Sequence, residues 1–158
     1  DAVDAIQRLK DLDIHPNSIA SELLAVIAQR LAKRICPDCK APAEPDADIL
    51  AELFPHGVPG NFRCFAGKGC NRCHGRGTLG RIAVIELLLM NTDIRNAISR
   101  QNTAIELRWQ SLDGGMITMR DSALNLVIEG IIPISELPKV LLQERMAPEP
   151  RGGMRSQE

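Results

Sequence analysis

Four cysteines stand in two pairs of matching spacing, Cys36-Pro37-Asp38-Cys39 and Cys70-Asn71-Arg72-Cys73, with thirty residues between them. Two intervening residues let both thiolates of a pair reach one ion from a single tight turn. Two such turns supply four sulfurs in a tetrahedron, the geometry that Zn²⁺ takes in closed structural sites. Cys36, Cys39, Cys70 and Cys73 are therefore the candidate zinc ligands. Catalytic zinc keeps an open position for water or substrate, and four thiolates leave none, so this metal would hold structure rather than do chemistry. A redox Cys-x-x-Cys or a pair of disulfides is the competing reading. Neither pair is followed by a thioredoxin-like helix pattern. Five cysteines without an export signal argue for a reducing compartment and against a disulfide framework.

Cys64 is the leftover. It has no partner at the same spacing and reads as a small packed hydrophobe. His56 and His74 could ligate a metal, but His74 adjoins Cys73, where geometry disfavours both binding at once; both read as solvated loop residues. Other chemistry is missing. There is no phosphate loop, no dinucleotide-binding glycine motif and no nucleophile arrangement that spacing supports. Gly75-Arg76-Gly77 reads as turns of a zinc knuckle. Arg63, Lys68, Arg72, Arg76 and Arg81, with Phe62 and Phe65, form a basic stretch without an acid between Gly60 and Arg81. This is either a docking face for nucleic acid or protein, or a solvated module surface, and the second is preferred. Cys70-x-x-Cys73-x-Gly75-x-Gly77 copies one unit of a chaperone zinc domain, but that domain needs several copies and the chain has one.

The elements that would position these residues follow from periodicity. Residues 2–12 predict a helix, with Val3, Ile6, Leu9 and Leu12 near helical spacing. His15-Pro16-Asn17-Ser18 breaks it, and Ser18 is the expected cap of a second helix. Residues 26–35 are ambiguous: Ile27, Leu31 and Ile35 suit either periodicity, and propensity alone favours helix. Residues 40–69 are punctuated by Pro42, Pro45, Pro55 and Pro59 and by several glycines. Asp46 is placed to cap a short helix through Phe54. So small a segment needs a staple, which metal binding supplies as folding free energy. Arg81 to Leu89 reads as a buried strand. Helices are expected from Asn91 or Thr92 to about Arg100, from the capping box Thr103-x-x-Glu106 to Gly114, from Thr118 to Gly130, and from Ser135 to about Arg145. From Ala147 onward the chain reads as a disordered tail.

Composition limits the function classes. The 158 residues carry 19 basic against 20 acidic side chains, which excludes a strongly basic nucleic-acid-coating protein. The most apolar stretch, Ile82 to Met90, contains Glu86 and is far short of the roughly 20 residues a membrane helix needs.

Several motifs then occur in one order. Ala5-Ile6-x-x-Leu9-x-x-Leu12 is followed by Ile14-x-Pro16. Ala28-Gln29-Arg30-Leu31 runs on to Ile35-Cys36-Pro37-x-Cys39. Gly69-Cys70-x-x-Cys73 precedes Gly77 and Gly80-Arg81-Ile82-x-Val84-x-Glu86-Leu87. Met116-x-Thr118-Met119-x-x-x-Ala123 leads to Val127-x-x-Gly130-x-Ile132. From about Ala2 to Leu142 the chain resembles the C-terminal part of the type II secretion and type IV pilus assembly ATPases. Two departures concern the second knuckle: Thr78 stands where the family often has Tyr, and Arg76 where Thr or Ser is usual.

The resemblance implies a strand for 26–35, against propensity, pairing with the Gly80-Arg81 strand as a hairpin with the tetracysteine module inserted in it. The implied fold class is an α+β fragment of a RecA-like α/β motor domain, mostly helical. The expected divisions are 1–35, two helices and the first hairpin strand; 36–79, the zinc module; 80–146, the second strand and a helical subdomain; and 147–158, a tail. The parent would be a homo-hexamer working in the cytoplasm, peripheral to the inner membrane. There it would meet inner-membrane platform proteins and hydrolyse ATP with Mg²⁺ to power protein secretion or pilus assembly. Neither membrane insertion nor nucleic acid is expected. The family's nucleotide-binding motifs lie upstream of Asp1, so the chain is expected to begin inside its domain and to carry no catalytic residue or activity of its own. A stand-alone zinc-ribbon module for nucleic acid or a protein is the alternative.

Overall fold

The computed structural model describes residues 1–141 and 146–149. They form an α+β structure with seven α-helices and two two-stranded sheets. The described chain divides into two compact units, residues 1–28 with 85–118 and residues 29–84 with 119–149. The long strands β1 (Ala25–Ile35) and β4 (Thr78–Leu89) pair with each other, and each contributes residues to both units. Strand was expected for 26–35 from the resemblance, and strand is found. Its buried residues, Ala32 and Ile35, lie three apart, so burial does not follow a strict strand alternation, and it is the pairing with the second long strand that defines it.

In the first unit, α1 (Ala2–Asp11) opens on a capping box in which the Asp4 amide donates to the Asp1 carboxylate at 2.9 Å. It buries Val3 and Ile6 against Ile19, Leu88, Ile94, Ile98 and Leu107. Each such aliphatic side chain, fully buried, contributes roughly 1.5–3 kcal/mol of transfer free energy. Helix α2 (Pro16–Glu22) starts earlier than the expected Ser18 cap. Pro16 fits the first turn because its missing N–H would have had no intrahelical partner there. His15 is the cap, its Nδ1 accepting the Asn17 amide at 3.2 Å. Helix α4 (Thr92–Ser99) is capped by Asn91, and α5 (Ala104–Asp113) by Thr103 with Glu106 completing a capping box. The Arg95 guanidinium donates to the carbonyls of Ala20 and Ser21 at the end of α2. Glu86 of β4 is buried and accepts the Ala2 amide at 2.7 Å.

In the second unit, residues 37–39 form one turn of 3-10 helix, followed by β2 (Lys40–Ala43), α3 (Ala47–Leu53) and β3 (Cys64–Gly67). Asp46 caps α3 as expected, accepting the amides of Asp48 and Ile49. Strands β2 and β3 pair antiparallel, Lys40 opposite Gly67 and Ala43 opposite Cys64. Helix α6 (Met119–Ile128) packs Ala123 and Val127 into a core with Ala32, Leu53, Val84, Ile132 and Leu137. Its chain reverses at Gly130, which has a φ of +68°.

The single helix expected from Ser135 to Arg145 is replaced by a 3-10 turn at Ile134–Glu136 and a short helix, α7 (Leu137–Val140). Pro138 accounts for the break. It has no N–H to give to the Ile134 carbonyl, so a helix cannot run through it without a lost bond. Leu141 is already extended, and residues 142–145 lie outside the described residues. So do residues 150–158, most of the expected tail; Met146, just before it, is buried.

Candidate metal centre

The two strand pairings bring the cysteine pairs together. Cys36 follows the last residue of β1, and its amide donates to the Gly77 carbonyl at 2.9 Å, one residue ahead of β4. The β1–β4 pairing thus ends where one cysteine of the first knuckle meets the exit of the second. Cys39 immediately precedes β2, and its carbonyl accepts the Lys68 amide at 3.0 Å, just beyond β3. The β2–β3 ladder thus ends beside the entry to the second knuckle.

Among the described residues, this is the one group of three or more His, Cys, Asp or Glu side chains placed to hold a metal: Cys36, Cys39, Cys70 and Cys73, with all four sulfurs within 4.8 Å of one another. Cys36 and Cys70 are 3.8 Å apart, Cys39 and Cys73 3.9 Å, and Cys70 and Cys73 3.7 Å. A tetrahedron of sulfurs at the ordinary zinc–sulfur length of about 2.3 Å has edges of about 3.8 Å. The four thiols therefore fit a metal ion, and no disulfide joins them.

Backbone amides surround the sulfurs. Gly69 donates to Cys39 Sγ at 3.3 Å, and Cys73 Sγ receives the amides of Cys70 and Gly77, both at 3.2 Å. Hydrogen bonds to the charged form favour thiolate. At Cys73 burial works against ionisation, but the Cys70 and Gly77 amides outweigh it and bring the thiol down to about 6. At Cys39 burial dominates and pushes the thiol up to about 12, against the single amide of Gly69.

Three glycines make this cage possible. A Cβ on Gly69, whose φ is +92°, would lie 2.7 Å from the Gly75 carbonyl oxygen. Gly67 and Gly77 approach backbone to backbone, and a Cβ on either would strike the other's carbonyl. Gly75-Arg76-Gly77 was legible as turns, but the role of Gly77 as donor to one cysteine and acceptor from another was not. The sequence signal for it is a glycine four residues beyond the last cysteine.

Cys64 stays apart from the cluster. It is buried on β3, donates to the Ala43 carbonyl at 3.2 Å, and has its thiol raised by burial first and the Glu44 charge second. It belongs to the apolar core of its unit, as a packed hydrophobe would. His56 and His74 are exposed and lie outside the cluster. The basic stretch is partly engaged: Arg72 pairs with Asp38 at 2.7 Å, and Arg76 Nε donates to the Cys73 carbonyl at 3.1 Å. Its aromatic rings are engaged too. Phe62 meets Phe54 edge to face at 5.2 Å, and Phe65 lies under the Lys40 ammonium at 4.5 Å. Neither ring is a free stacking platform of the kind single-stranded nucleic acid uses.

Sequence assigned no role to Arg120. It is buried on α6 and donates to two carbonyls, that of Met146 at 2.6 Å and that of Leu53, the last residue of α3, at 2.7 Å.

The model of the family described as type II/IV secretion system protein matches residues 1–139. The chain is 36% identical over 138 residues to the type IV pilus assembly ATPase PilB of Thermus thermophilus, across 87% of the chain and 16% of that protein. It is 34% identical over 143 residues to the type II secretion system protein E of Pectobacterium carotovorum, across 90% of the chain and 28% of that protein. It is 34% identical over 141 residues to the type II secretion system ATPase E of Vibrio cholerae, across 88% of the chain and 27% of that protein. The chain thus spans between 16% and 28% of the length of these relatives. No described helix is long and apolar enough to cross a membrane.

Proposed function

Because the chain belongs to the type II/IV secretion system protein family, we propose that it is the metal-binding part of a secretion or pilus-assembly ATPase, with Cys36, Cys39, Cys70 and Cys73 holding one structural Zn²⁺ ion. The observation that carries the metal reading is the gathering of four sulfurs within 4.8 Å of one another, three of their separations at 3.7–3.9 Å, which suits a tetrahedral thiolate shell. Bound zinc would supply a cross-link between the two knuckles. The chain's own part is to present the sulfurs: the two strand pairings set the knuckles face to face, and the amides of Gly69, Cys70 and Gly77 neutralise thiolate charge.

The zinc module is taken as residues 36–79, with 1–35 and 80–146 as parts of a RecA-like motor domain that it interrupts. The whole protein would assemble as a hexamer at the cytoplasmic side of the inner membrane, dock on the platform proteins there and hydrolyse ATP to drive secretion or pilus assembly. The family membership and the names of the relatives support that reading. Within these 158 residues there is no phosphate-loop motif. Cys73→Ser in the full-length protein is the test. The expected result is joint loss of zinc, of assembly and of ATP turnover. A zinc-free variant that assembles and hydrolyses ATP at the parent rate would overturn the structural role of the metal.

A further inference from the structure

A small cleft of about 200 Å³ in the second unit is lined by Lys33 of β1, Arg76 of the second knuckle, and Thr78, Gly80 and Arg81 of β4. Three cations and a hydroxyl-bearing residue line one space, and among the described residues no carboxylate lines it. Other cations are held by partners: Arg72 has Asp38, Lys139 has Glu136 at 2.6 Å, and Arg120 has two carbonyls. Glu136 is an acid near Lys33. It takes the Lys33 amide at 2.9 Å on one oxygen and the Lys139 ammonium on the other, so both of its oxygens already accept hydrogen bonds.

We propose that this cleft is an anion site for a single phosphoryl group. Two guanidinium forks and an ammonium match the several oxygens of a tetrahedral oxyanion, where one carboxylate would satisfy only one fork. The site is also organised. Arg76 is fixed through Nε by the Cys73 carbonyl at 3.1 Å, which leaves its terminal nitrogens for a ligand. Thr78 offers a hydroxyl from the first residue of β4. Gly80 holds a φ of +75° with open space where a side chain would be, so the backbone there can approach a ligand closely. The cleft volume admits a phosphoryl group. Since Arg76 hangs from the knuckle carbonyl, its position depends on the metal centre, and that coupling rests on the zinc reading above.

The test is titration of the zinc-loaded, ¹⁵N-labelled chain with inorganic phosphate at constant ionic strength, chloride serving as the matched control. Saturable shifts are expected at Lys33, Arg76, Thr78, Gly80 and Arg81. The double variant Arg76→Ala/Arg81→Ala should weaken binding at least tenfold while keeping its zinc; Arg76→Lys/Arg81→Lys should lose less, since charge remains and only the fork is gone. Titration with ATP and ADP separates the sources. A nucleotide source gives the same shifts at lower concentration, whereas a free phosphate source leaves inorganic phosphate the tighter ligand. Shifts no larger than those with chloride, or shifts that the alanine variant retains, would overturn the site. Phosphate binding in a chain found to take no zinc would keep the anion site and remove the coupling to the metal.

Discussion

Gly67 and Gly77 meet backbone to backbone beside the metal cluster, each occupying the space that a Cβ on the other would need. Gly77 also donates to Cys73 Sγ and accepts from the Cys36 amide, so this one residue joins both knuckles. The cluster is therefore built as much from close backbone approach as from cysteine.

That arrangement separates two kinds of glycine. Gly80 has a positive φ but open space around it, so Gly80→Ala should cost only the left-handed backbone strain, about 1–2 kcal/mol. Gly77→Ala adds a collision with the Gly67 carbonyl and displaces a donor from Cys73. Chemical denaturation followed by circular dichroism should rank Gly77→Ala well below Gly80→Ala in stability, with metal content lowered only in the former.

The leftover cysteine provides an internal control. Cys64→Ala removes a thiol that donates to the Ala43 carbonyl and packs in the core, outside the cluster. It should retain full metal content at a cost of about 1 kcal/mol. Cys39→Ala should lose the metal. Mass spectrometry of the native proteins distinguishes the two.

Glu136 gives a pH-dependent prediction. Burial opposes its ionisation, but the Lys139 ammonium, the Lys33 amide and the charges of both lysines prevail and hold its carboxyl below the ordinary glutamate value. A folded-state value below the unfolded one means stability that is present above the unfolded glutamate value, about 4.3, and lost as pH falls through the folded one. Glu136→Gln should thus be destabilised at pH 7 by about 1.5–3 kcal/mol, the range for hydrogen bonds involving charged groups. The gap to the parent should close on acidification below that window. Urea titrations across pH measure it; a gap that widens in acid would contradict the assignment.

Arg120 should matter through its two carbonyls. Arg120→Met keeps the apolar stem but leaves the Leu53 and Met146 oxygens without their donor. A loss of about 2–4 kcal/mol is expected, the range for leaving buried polar groups unpaired. Arg120→Lys, with one compact ammonium in place of the fork, should recover part of it.

The cysteines were legible because metal ligation demands residue type and spacing together. Strand β1 was not legible from propensity, since Ile27, Leu31 and Ile35 satisfy both periods; the family resemblance supplied it. Strands β2 and β3 escaped because each has four residues and β2 contains Pro42, which masks alternation. The cap of α2 was misplaced at Ser18 because a histidine is a rare cap, although Pro16 marked the true start. Arg120 could not be found from sequence: the carbonyls it binds lie 67 and 26 residues away.

The most direct test of the metal centre is zinc stoichiometry on the purified chain, combined with X-ray absorption at the zinc edge. One zinc per chain in a shell of four sulfurs, at about 2.3 Å, is the predicted result. A metal-free protein that keeps its fold, or a zinc held by nitrogen or oxygen ligands, would contradict it.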